Sequence, residues 1–102
     1  MNCTPQQLLN HFHPAEYDIR TINCNYSGGG IRHSILKDGK MIINQLTISP
    51  HGYTPSHLGY LNMKYFQIKD LRPEEIRNIN KSKTMRISGL EFNRLLQLLA
   101  MI

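Results

Sequence analysis

Tryptophan is missing from this chain and cysteine is limited to two residues, Cys3 and Cys24. Two thiols without a secretory context give no disulfide framework, so both are expected to be free, with Cys3 at an N-terminus expected to fray. No apolar run approaches the roughly 20 residues needed to cross a bilayer. The opening Met-Asn-Cys-Thr-Pro lacks the charged and apolar regions of a signal peptide, and a soluble, cytoplasmic protein with no membrane partner is expected. Acidic residues are also scarce, seven against twelve lysines and arginines, for a net charge of +5.

Chemical motifs are equally sparse. Gly28-Gly29-Gly30 lacks the lysine and Ser/Thr of a phosphate-binding loop and precedes a strand pattern instead of a helix, so it reads as a tight turn or bulge. There is no Gly-x-Ser-x-Gly nucleophile turn. Five histidines, at positions 11, 13, 33, 51 and 57, are not accompanied by the paired Cys or His of a zinc site. Neither a metal nor a cofactor is expected. The adjacent Glu74 and Glu75 are accounted for by the first turn of a helix, where the dipole favours negative charge.

What the chain does contain is pattern. At 102 residues, without repeats or linkers, it is expected to be one domain spanning 1–102. Thr4, Pro5 and Gln7 spell a capping box with proline at the first helical position, followed by the apolar stripe Leu8, Leu9 and Phe12; Pro14 ends that helix. Residues 16–26 alternate like a strand, with a change of apolar face between Thr21 and Ile22 that suggests a bulge or a strand covered on both sides near its end. Residues 31–36 and 41–48 flank Lys37-Asp38-Gly39-Lys40, and Asp-Gly at the centre of a two-residue loop predicts a β-hairpin with a type I′ turn.

Residues 49–60, with two prolines and two glycines, read as a loop long enough to be functional. A short strand is expected at 63–68. Pro73 with Glu74 and Glu75 opens a helix that should turn Ile76 and Ile79 inward, and a strand follows at 84–88. The last segment, 90–102, is apolar on more than one helical face, including Leu90, Leu95 and Leu99. Its width predicts both a place in the core and a homodimer contact through Leu95 and Leu99. The expected fold is α+β, in the order α-β-β-β-loop-β-α-β-α, with a mainly antiparallel sheet and helices on one face.

Three functions compete. The favoured one is a small non-enzymatic regulatory or inhibitory module, of the kind encoded by phages and plasmids, that binds a protein partner through the 49–60 loop. Tyr53, Tyr60, His51 and His57 lie there, and tyrosine is favoured at recognition surfaces. The second is nucleic-acid binding. Residues 71–90 carry a net charge of +3 while residues 1–30 carry −1; Arg32, Lys37, Lys40, Lys81, Lys83 and Arg86 would meet phosphates, and Tyr53, Tyr60 or Tyr65 would stack on bases.

The third is catalysis by His33 as general acid or base on a phosphodiester, with Arg32 or Lys37 stabilising negative charge. A helix, a strand, the glycine–histidine element Gly30-Ile31-Arg32-His33 and a hairpin together resemble the HicA-type ribonuclease toxins. The resemblance implies a small ribonuclease centred on His33. The chain departs from it in spacing, since the family places glycine and histidine as Gly-Ser-His, and in continuing with a long loop and two further helices.

Overall fold

The computed structural model describes residues 3–23, 30–48, 59–79 and 83–102. Three helices and five strands follow one another as α1 (Pro5–His11), β1 (Asp18–Asn23), β2 (Ile31–Lys37), β3 (Lys40–Ile48), β4 (Tyr60–Asn62), α2 (Pro73–Ile76), β5 (Thr84–Arg86) and α3 (Phe92–Leu99). The strands form one antiparallel sheet in the order β1-β2-β3-β4-β5, so every strand lies beside its neighbour in sequence. This is the expected α+β arrangement, with the meander extended from three strands to five. No helix among the described residues is long and apolar enough to cross a membrane.

Strand register explains the core. Ile19, Ile35, Ile43, Leu61 and Met85 stand directly opposite one another across the five strands, and the last four are fully buried. On that face Leu8 of α1 and Leu95, Leu98 and Leu99 of α3 close over the row in a single apolar cluster. Each such side chain removed from water contributes about 1.5–3 kcal/mol, so this band sets the position of everything else.

Local chemistry fixes the elements as predicted in two places. The amide of Gln7 donates to Thr4 Oγ1 at 3.1 Å and that of Thr4 donates to Gln7 Oε1 at 3.0 Å, the reciprocal capping box. In the hairpin loop Asp38 and Gly39 have φ of 52° and 79°, the positive pair that a type I′ turn requires.

Elsewhere the structure corrects the sequence reading. The bulge is not in β1, whose register with β2 is continuous, but between β2 and β3, around Ile35. Gln45 of β3 takes φ of 59°. The change of apolar face in β1 reflects exposure instead, because Ile22 is 61% accessible. The fourth strand ends at Asn62, and Met63–Tyr65 is a 3₁₀ turn that Asn62 caps by accepting from the Lys64 amide at 3.1 Å. Cys3 is not frayed but fully buried, and burial pushes its thiol up to about 11. Cys24 lies outside the described residues.

Of the two residues expected to turn inward, Ile79 packs against the core and Ile76 does not. Ile76 is 47% exposed and Glu75 is 2% exposed, because Glu75 finds an ionic partner inward. Gly59 shows how tightly β4 is seated. It has φ of 113°, and a Cβ there would stand 3.0 Å from the Asn44 carbonyl oxygen and from the Leu46 backbone, so only glycine lets the chain approach β3.

Candidate binding surfaces

At the hairpin end, Lys37 and Lys40 face each other across the turn. Two like charges directly opposite destabilise a sheet. A third lysine joins them. The Asn62 side-chain amide donates to the Met41 carbonyl at 3.1 Å, which lays the chain leaving β4 along the start of β3 and brings Lys64 and Tyr65 to the same place. Lys40 Nζ and Lys64 Nζ lie 5.7 and 5.8 Å from the centroid of the Tyr65 ring, and Lys37 Nζ lies 5.6 Å from that of Tyr17. Tyr17 in turn packs edge-on against Phe12 at 4.7 Å. Among the described residues none of these lysines forms an ion pair. Lys37 and Lys40 were visible in the sequence as turn flanks. Lys64 was missed, since only the β3–β4 register connects it to them.

Other expected site residues fall on the sheet face opposite the core row. Strand alternation puts Asn44, Tyr60 and Arg86 in one lateral row and Ile22, Arg32 and Thr47 in another. Tyr60 and Arg86 therefore meet across β4 and β5. Lys83 is exposed, with φ of 59°. Tyr53, His51, His57 and Lys81 lie outside the described residues.

His33 sits on the core side, 8% exposed. Its Nδ1 is 3.1 Å from Thr21 Oγ1 on the neighbouring strand, a hydrogen bond between the two. Burial lowers its pKa from the ordinary histidine value, so the ring is held neutral. The charge stabilisers proposed for a ribonuclease are not gathered around it. Arg32 occupies the opposite face, as adjacent strand residues must, and Lys37 is four residues along the strand, about 13 Å away by strand rise. This arrangement serves to fasten β1 to β2.

Leu95 and Leu99, expected both in the core and at a second subunit, are 0% and 6% exposed and lie in the apolar cluster. Beside them lies a polar cluster that the sequence reading missed. Arg94 reaches from α3 into α2: Nε donates to Glu75 Oε2 at 2.6 Å, and a terminal nitrogen donates to Glu75 Oε1 and to the Asp70 carbonyl, each at 2.7 Å. Glu75 Oε1 also accepts from the Arg72 amide at 2.7 Å. The hydrogen bond from Arg94 holds the Glu75 carboxyl below its usual pKa, and Glu75 raises that of Arg94.

A cleft of about 190 Å³ opens beside this knot, lined in part by Asn78, Gly89 and Glu91. Four of its charged side chains bond in pairs, Arg72 to Glu91 at 3.2 Å and Arg94 to Glu75, so the cluster joins helices. No group of metal-binding side chains gathers among the described residues. A search against protein-family models, curated proteins and solved structures matches this chain to none of them.

Proposed function

We propose that this protein is a small interaction module that engages an acidic surface of a partner protein through its hairpin end. The observation that carries this reading is that Lys40 and Lys64 share the Tyr65 ring while Lys37, opposite Lys40 across the turn, lies over Tyr17, none of them with an ion-pair partner among the described residues. Like charges held together cost stability within the domain, and an acidic partner relieves that cost. Tyr17 and Tyr65 are half-buried and already engaged by ammonium groups or Phe12, so they serve better as rigid supports than as stacking platforms. Such a surface suits a regulatory or inhibitory role, in which charge steers a small protein onto its target.

A second reading, nucleic-acid binding, draws on the pairing of Tyr60 with Arg86 across β4 and β5, a stacking ring beside a phosphate-binding guanidinium. Anisotropy titrations of a labelled polyglutamate peptide and a labelled single-stranded oligonucleotide, at stepped salt concentrations, separate the two. The favoured reading expects the peptide to bind, and the triple substitution of Lys37, Lys40 and Lys64 by glutamate to abolish that binding. Retention of the oligonucleotide alone, with loss on Tyr60→Ala and Arg86→Ala, moves the function to nucleic acid. Failure of both ligands to bind at low salt rules out a charge-driven module.

A further inference from the structure

Strand β1 is the first strand of the sheet order and pairs only with β2. Its other edge therefore carries backbone donors and acceptors without a ladder partner among the described residues, and such an edge is a template for another strand. Proteins usually defend these edges with proline, an outward lysine or a bulge. Residues 18–23 have no proline and no lysine, and their register with β2 is unbroken. The two charges on the strand, Asp18 and Arg20, are turned on one another at 3.3 Å. Five of its six residues are exposed, and only Ile19 is half-buried.

An open groove of about 740 Å³ runs along the strand, bounded by the 14–16 turn and by Asp38 of the hairpin loop. Ile19 and Thr21 line it, and Glu16, Asp18 and Asp38 rim it with carboxylates. We propose that β1 accepts an extended segment of a partner protein as a sixth strand, and that this segment carries basic side chains at alternate positions.

Backbone pairing would supply the attachment, and the carboxylates would select its charge, the division of labour usual in strand addition. Charge also separates this occupant from a second copy of the chain. Two copies joined edge to edge would bring both sets of Glu16, Asp18 and Asp38 together, carboxylates that outnumber the Arg20 and Lys37 cations beside them, and like-charge juxtaposition opposes that pairing. A lysine- or arginine-bearing strand meets no such opposition. The groove adjoins the hairpin end, since Tyr17, the ring under Lys37, also lines it, but the proposal does not depend on the function proposed above.

The test uses an acetylated peptide of alternating lysine and valine, a version of equal charge with its valines replaced by proline, and hydrogen exchange of the whole protein. The alternating peptide is expected to bind and to slow exchange of the β1 amides. The proline version should bind at least about tenfold more weakly, since it cannot donate to a ladder. Charge reversal of Glu16 and Asp18 to lysine should weaken binding by about tenfold or more without changing the melting curve. Equal binding of the two peptides, or β1 amides left unprotected in the complex, would overturn strand addition. A wild-type protein that sediments as a dimer with β1 protected would assign the edge to a second copy instead.

Discussion

Two regions of this domain use the same charge chemistry in opposite ways. At the α2–α3 junction, Arg94 spends its donors on Glu75 and the Asp70 carbonyl inside a nearly closed contact. At the hairpin end, three lysines gather around tyrosines without an ionic partner among the described residues. A cation that is desolvated and bidentate belongs to the fold. The lysines gain only weak contacts with tyrosine rings, against which the Lys37–Lys40 repulsion works, so the fold gives little reason for their clustering. Arginine at the first place and lysine at the second fit this contrast, since the planar fork suits a fixed carboxylate and the ammonium suits a solvated contact.

The largest test is removal of Arg94. Arg94→Ala leaves Glu75 ionised, buried and unpaired, and urea unfolding should record a loss of about 3–5 kcal/mol. Arg94→Lys should recover part of it, because one ammonium cannot reproduce the two-pronged bond.

The same pair predicts an acid limb. Glu75 is held below its ordinary carboxylate pKa of 4.5, so its contribution is fully present above that value and disappears as pH falls through the folded-state pKa. Arg94→Ala should flatten this limb in melts recorded across the acid range; an unchanged limb would show that other carboxylates govern it.

A middle-sized effect is expected at the β1–β2 bond. Thr21→Val strips His33 of its hydroxyl partner and should cost about 1 kcal/mol. His33 titrates below its ordinary value of 6.5; its neutral form therefore contributes above pH 6.5, and that contribution is lost as pH falls through the folded-state pKa. Nuclear magnetic resonance of the ring protons follows this titration directly.

The smallest effect on stability sharpens the contrast most. Replacing Lys37, Lys40 and Lys64 together by glutamine should move the unfolding free energy by no more than about 0.5 kcal/mol, with any change favouring the variant because a like-charge pair disappears. A loss comparable to that of Arg94→Ala would place the lysines among the structural residues.

Local signals were legible in the sequence. The capping box on Thr4 and Gln7, the positive-φ turn at Asp38-Gly39 and the α+β class depend on residues adjacent to one another, and the structure contains all three. Features set by partners far along the chain were not. Glu75 looked like a dipole-favoured helix start because Arg94, nineteen residues on, could not be seen to reach it. That pairing turns Glu75 inward and leaves Ile76 exposed, while Ile79 packs against the core as expected. Lys64 needed the Asn62–Met41 bond to enter the site at all.

The nearest-neighbour order of the five strands has a consequence for time as well as for energy. Each strand can dock onto the one made just before it, and among the described residues the β4–β5 connection is the one that encloses an α-helix. Short-range pairing of this kind lowers the closure entropy that slows most sheets. The domain should thus fold quickly for a β-rich protein, adding its strands in sequence like the steps of a ratchet. Strand β1, covered on neither face for most of its length, would be the first to peel away and return.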